Sequence, residues 1–227
     1  NNYNKTELDA LQAQWDAMEN FIGDANVLPL VDVSGSMTCP AGKNSKVTCL
    51  DVAVSLGLYC ADKNKGKFKD TFLTFSSDPQ LLHLRGNIVQ KVHQMAKSNW
   101  GMSTDLVRAM DKILKTAKDG NVPQEEMPEM LLIMSDMQFN QCARFDDSAM
   151  KMIARKFEAA GYELPKIVFW NLNAADNVPV KYDTSGVALI SGFSPQIMVS
   201  VLGGDTEKFT PEAIMMKTIG IERYDLV

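Results

Sequence analysis

Three stretches of strand length are apolar at nearly every position instead of at alternate ones: VLPLVD (27–32), EMLLIMSD (129–136) and KIVFWNLN (166–173). A strand of that kind has no wet face, so a sheet made from such strands must be covered on both sides. The segments between them supply the cover. Leu50, Ala53, Val54 and Leu58 fall on one helical face, as do the apolar residues at 88, 92 and 95, and those at 106, 109, 110, 113, 114 and 117. SAMKMIARKFEAAGY reads as a helix ended by Gly161, and residues 5–22 as an amphipathic helix before the first strand. DTFLTFS (70–76) and QLLHLR (80–85), separated by the turn SDP, predict an antiparallel hairpin at one edge. GVALISGF (186–193) predicts a last strand. Helices are expected over PQIMVSVLG (195–203) and over TPEAIMMKTIG (210–220), the latter opened by Thr210 and Pro211. The expected class is α/β, with a mostly parallel sheet, one antiparallel edge strand and helices on both faces.

In open sheets of this class the functional crevice lies beyond the carboxyl ends of the strands, where strand order reverses. Two apolar runs end in aspartate at that edge, the first at Asp32 and the fourth-strand candidate at Asp136. Ser34 and Ser36 follow Asp32 at alternate positions in DVSGSM. Carboxylates that converge in a crevice repel one another unless a cation or a shared proton joins them. Aspartates with hydroxyls, and without histidine or cysteine, suit a hard cation such as Mg²⁺. Each residue alone also has an ordinary use: Asp32 as a strand end, Ser34 as a turn cap, Ser135 and Asp136 as a turn opener. Together, at one end of one sheet, they point to a site.

Composition narrows the partners. The chain has 227 residues, 45% of them hydrophobic, and a net charge of −5. That is enough for one full core and a poor match to a protein that grips phosphate backbones, so no direct nucleic-acid contact is expected. No run reaches the ~18–20 apolar residues of a membrane span, and the polar N-terminal segment is not a signal peptide. The first residue is Asn1, not methionine, and a longer parent protein is expected. Cys39, Cys49, Cys60 and Cys142 form no C-x-x-C pair and read as free thiols of a reducing, intracellular (cytoplasmic) compartment, with Cys39 a soft neighbour of the serines. His83 and His93 have no partner motif, and the lysines of KNKGKFK (63–69) read as a solvated turn.

DVSGSM, WGMSTDL (100–106) and LLIMSDMQF (131–139) occur in that order, and together they resemble the metal-ion-dependent adhesion site (MIDAS) of a von Willebrand factor type A (vWA) domain. The likeness covers about residues 26–203. KGKFKDTFLTFSSDPQL, PKIVFWNLN and GVALISGFS extend it to an uncharacterised family of plants, giant viruses and phages, whose members carry such a domain at the C-terminal end of a longer helical protein. That organisation is similar to the Ro autoantigen, in which a helical-repeat ring binds RNA.

The resemblance implies a Rossmann-like, doubly wound sheet of six strands. It implies an N-terminal helical extension (1–25), the vWA domain (26–205), and a C-terminal helix and tail packed on it (206–227). It also implies roles. Ser34 and Ser36 would bind Mg²⁺ directly (Mn²⁺ or Ca²⁺ in its place), Thr104 would bind directly in the ligand-engaged state, and Asp32 and Asp136 would bind directly or through water. An aspartate or glutamate of a protein partner, or of a helical-repeat region of the same full-length protein, would take the remaining position. Gly35 would let the loop turn closely around the ion. Many such domains have two glycines before the threonine; here the order is Gly101, Met102, Ser103, Thr104. Ser103 is therefore a rival ligand, Asp105 a helix cap or a support for the site, and Trp100 and Asn171 candidates for its rim. Asn173, just past the fifth strand, is a further crevice candidate, and Trp170 is expected in the core or at the rim.

Catalysis is not expected. Phosphotransferases of the haloacid dehalogenase class need an acid two residues after the nucleophilic aspartate, and Ser34 cannot move that proton near neutral pH. A serine hydrolase would need a G-x-S-x-G elbow and a histidine partner, and neither is evident.

Overall fold

The computed structural model describes residues 3–41, 45–74, 78–98, 106–136, 147–173 and 187–191. Six strands pair in one sheet among them: β1 (Val27–Val31), β2 (Thr71–Thr74), β3 (Leu81–His83), β4 (Met130–Ser135), β5 (Lys166–Asn171) and β6 (Val187–Ser191). Their order is β3-β2-β1-β4-β5-β6. Every pairing is parallel except β2 with β3, which run antiparallel with Phe72 facing Leu82. From β1 the chain builds outward to β2 and β3, then returns to the other flank of β1 with β4. The reversal of order therefore lies between β1 and β4.

The helices are α1 (Lys5–Asp16), α2 (Cys49–Lys63), α3 (Ile88–Lys97), α4 (Leu106–Asp119) and α5 (Asp147–Ala159). Along each central strand successive side chains enter opposite cores. Val27, Val31, Leu132, Met134, Val168 and Trp170 meet α2 and Met95 of α3 on one side. Leu28, Leu30, Leu131, Ile133, Ile167 and Phe169 meet α4, Ile153 and Phe157 on the other. The continuous apolar runs thus reflect burial from both faces. No described helix is long and apolar enough to cross a membrane.

Pro29 stands in the middle of a central strand, where a missing N–H would ordinarily cost a ladder bond. Asp32 N donates to Met134 O on the β4 side, and Val27 N donates to Asn64 Oδ1 on the opposite side. Backbone groups alternate in direction along a strand, so the nitrogen of Pro29 faces the β2 side. Pairing with β2 begins only at Leu30 opposite Leu73. The proline sits where no partner strand has yet arrived. Asn64, just past α2, fills that gap one step earlier, with Nδ2 donating to Val27 O (2.8 Å) and Oδ1 accepting from Val27 N (2.7 Å).

Helix α2 is buried nearly all round, because α1 and α3 cover the face turned away from the sheet. It approaches β1 so closely that a Cβ on Gly57 would lie 2.3 Å from Val31 Cγ2. Only glycine allows that seat.

Helix α1 starts in a reciprocal cap between Asn4 and Glu7, but it ends at Asp16 and not at residue 22 as its pattern suggests. A distant residue accounts for the difference. The Tyr59 hydroxyl accepts from Phe21 N and donates to Glu19 O, both at 2.7 Å. Asn20 holds the following turn, accepting from Ile22 N and donating to Gly23 O, with Gly23 at φ +66°. These bonds replace the helical ones. The helix packs on the domain through Trp15, which meets Tyr59 edge-on and donates to Asp62. The segment 206–227 and the helices expected over 195–203 and 210–220 lie outside the described residues.

Candidate metal centre

Strand β1 delivers Asp32 to the reversal point already committed to pairing, since its N–H continues the ladder to Met134 O at 2.9 Å. Its side chain is buried, 3% exposed. Oδ1 accepts from Ser34 N at 2.8 Å, which folds the chain back at once, and Oδ2 accepts from Ser135 Oγ at 2.6 Å. Each carboxylate oxygen has a further lone pair beyond these bonds.

After Asp32 the chain makes a 3-10 turn, Gly35–Thr38, anchored by buried Met37 and closed by Thr38 Oγ1 on Gly35 O (2.8 Å). Ser34 precedes this turn without capping it through its side chain. Its Oγ instead lies 2.9 Å from Ser36 Oγ, and Ser36 Oγ donates to Asp136 Oδ1 at 3.0 Å. Asp136 directly follows β4, whose register sets Val31 beside Met134. The parallel pairing of β1 with β4 therefore brings Asp32, Ser34, Ser36 and Asp136 into one hydrogen-bonded group across a sequence gap of 100 residues.

The donor set is entirely oxygen, two carboxylates and the hydroxyls between them. Among the described residues, no lysine, arginine or histidine forms an ion pair with either aspartate. Asp136 and Ser34 are half-buried and Ser36 is exposed, so the group opens to solvent on one side. These residues fit a hard cation: ionised oxygens with neutral hydroxyls are what Mg²⁺ and Ca²⁺ take.

The other candidates are placed as follows. Asn171 ends β5 beside Ser135, but its Oδ1 accepts from Asn173 N at 2.9 Å and is engaged in its own turn. Trp170 is core, 1% exposed. A Cβ on Gly35 would meet no atom within 4 Å, so the protein around it does not itself require a glycine there. Trp100, Ser103, Thr104 and Asp105 lie outside the described residues.

In its local sequence Ser135 reads only as a turn residue, with no sign of its bond to Asp32. The strand register creates that bond, and no local motif announces a register. Cys39, expected as a soft neighbour of the serines, donates its backbone N–H to Ser36 O at 3.1 Å, while its Sγ lies 3.5 Å from Cys49 Sγ. Burial above all, then the neighbouring Cys39 and the charge of Asp136, push the Cys49 thiol up to about 12.

Residues 26–221 match the model of a family described as a domain of unknown function, DUF7788. A protein of Acanthamoeba polyphaga mimivirus, described as uncharacterized, is 32% identical over 217 residues. The alignment takes in 92% of this chain and 36% of the mimivirus protein, so the chain spans about a third of that relative's length. Among solved structures, the RO (RSR) protein of Deinococcus radiodurans is similar with a TM-score of 0.54 at 16% identity, over 87% of this chain and 38% of that one. At that identity the likeness is one of fold. By the extent of its match and by its mimivirus relative, the chain belongs to the DUF7788 family.

Proposed function

We propose that this domain is a metal-dependent protein-binding module with a MIDAS-type centre of the vWA kind, and that it is not an enzyme. The observation that carries the reading is the linked oxygen group at the β1–β4 reversal: Ser135 to Asp32, and Ser34 to Ser36 to Asp136, with no basic side chain among the described residues to balance its charge. Ser34 and Ser36 would hold Mg²⁺ directly, and Asp32 and Asp136 directly or through water. Thr104, or Ser103 in its place, would add a ligand from the segment that precedes α4 in the sequence. A bound ion supplies a positive position that an outside carboxylate completes. The partner is then a protein presenting aspartate or glutamate, or another part of a longer parent chain.

Calorimetric titration of Mg²⁺ and Mn²⁺, with and without acetate, tests this beside Asp32→Ala and Ser34→Ala. Saturable binding lost in both variants supports the centre. Absence of binding in every arm removes it.

The fold likeness to the RO protein favours a second reading, in which the domain belongs to an RNA-associated particle whose nucleic acid is held elsewhere. With a net charge of −5 the chain alone should then leave RNA unbound at physiological salt. Tight retention of RNA by this domain would contradict that division of labour.

A further inference from the structure

We propose that Cys39 and Cys49 are a modification site, a thiol pair that a peroxide converts to a disulfide at the root of the turn bearing Ser36. The inference goes beyond the metal reading and does not depend on it.

The geometry is that of a short antiparallel ladder. Pro40 bridges Thr48, Cys49 N donates to Cys39 O at 2.9 Å, and Ala41 N donates to Val47 O at 2.8 Å. The two cysteines therefore face each other one step beyond the bridge, with their sulfurs 3.5 Å apart. Facing residues joined by a ladder bond have Cα atoms roughly 5.5 Å apart. That lies inside the range of about 4.4–6.8 Å found across disulfides. Closing the sulfurs to about 2.05 Å needs side-chain rotation and leaves the backbone ladder in place.

The two thiols differ in access, which divides the chemistry. Cys39 is half-buried and is the one an oxidant meets; Cys49 is fully buried. Hydrogen peroxide passes an oxygen to the Cys39 sulfur: its O–O bond breaks, the sulfur loses two electrons as a sulfenic acid, and one water leaves. The Cys49 sulfur then attacks the Cys39 sulfur. The S–O bond breaks, and the hydroxyl leaves with the Cys49 proton as a second water. Two thiols and one peroxide give one disulfide and two waters. Cys60 lies further along α2, fully buried, with its thiol likewise pushed up to about 12 by burial, and takes no part.

Peptide mapping tests the proposal. The folded chain is treated with hydrogen peroxide, quenched in denaturant with iodoacetamide, and digested with trypsin without reduction. Lys43 and Lys46 lie between the cysteines, so cleavage separates them and a disulfide appears as two joined peptides. The expected result is joined peptides lacking two hydrogens, loss of both alkylation sites, and reversal by dithiothreitol. The joined species should vanish in Cys39→Ser and persist in Cys60→Ser and Cys142→Ser. Cys39 found as a sulfinic or sulfonic acid with Cys49 still alkylated would overturn the proposal, as would joining that requires Cys142. The wild-type map decides this even where a variant folds poorly.

Discussion

Helix α2 has a polar cluster near each end, and the two are built on opposite plans. At its C-terminal end Asp62 accepts from Lys91 Nζ (3.0 Å) and from Trp15 Nε1 (3.1 Å), while Lys91 also reaches Asp70 (2.5 Å). Those three charged side chains are 11–19% exposed, and one lysine stands between two acids. Burial alone would raise the Asp62 carboxyl; the bonds from Lys91 and Trp15 and the nearby lysine charges hold it below the usual range. Burial alone would lower Lys91, and its two aspartates hold it above the usual range. Near the other end, beyond Cys49, Asp32 accepts from Ser34 N and Ser135 Oγ, and Asp136 accepts from Ser36 Oγ. The same fold neutralises its acids where they fasten α1, α2, β2 and α3 together, and among the described residues it pairs no lysine, arginine or histidine with those where strand order reverses. On the proposed reading that contrast separates cement from site, since uncompensated carboxylates cost stability unless a cation visits them.

The largest expected effect comes from Lys91→Met. It leaves Asp62 and Asp70 without their common cation, and urea unfolding should show a loss of about 2–3 kcal/mol, short of a fully buried pair because these groups still touch water. Affinity for Mn²⁺ should not move. Unchanged stability would mean that this cluster is not cement.

Asp136→Asn should do the reverse. Calorimetry should show Mn²⁺ affinity down by roughly 10–100-fold, or about 1.4–2.8 kcal/mol. The metal-free melting temperature should hold or rise slightly, because a like charge near Asp32 has gone. A large loss of metal-free stability would erase the contrast.

Ser135→Ala removes the donor on Asp32 Oδ2, and a cost of about 1–2 kcal/mol is expected in unfolding experiments. The deficit should shrink when Mn²⁺ is added; a deficit unaffected by metal would place Ser135 in the fold alone.

Acidity and alkalinity both act on the cement. A carboxylate held below its unfolded value contributes stability above that value and loses it as pH falls through the lowered one, so Asp62 releases its hold only in acid, under about pH 4. Lys91, held above its unfolded value, contributes below it and loses that contribution as pH rises through the raised one, above about pH 10.5. Trp15 fluorescence during thermal melts should show a plateau between these limits, flattened in Lys91→Met. The smallest effect is expected of Lys65→Ala, whose partner Asp24 is fully exposed; the melting temperature should not change.

Much of this architecture is written in burial. VLPLV and MLLIM have no face to give to water, so strands covered on both sides were legible, and so were the aspartates at their ends. The Thr71–Thr74 and Leu81–His83 hairpin was equally plain, because its two runs are too close for a crossover. What stayed hidden depends on partners far away in sequence. Tyr59 stops α1 short, Asn64 stands in for a strand beside Val27, and the β1–β4 register gives Ser135 to Asp32. The pairing of Cys39 with Cys49 was hidden for the same reason, since a ladder of one bridge has no sequence signature.

The notch at Gly57 has a mechanical consequence. A helix seated with one missing side chain over Val31 behaves as a keyed shaft: advancing it by one residue would bring Leu56 or Leu58 to the position where even a methyl group does not fit. Strand β1 and α2 therefore form a stator. Any displacement of the Gly35–Thr38 turn at the end of β1 must therefore leave the register of this locked pair unchanged.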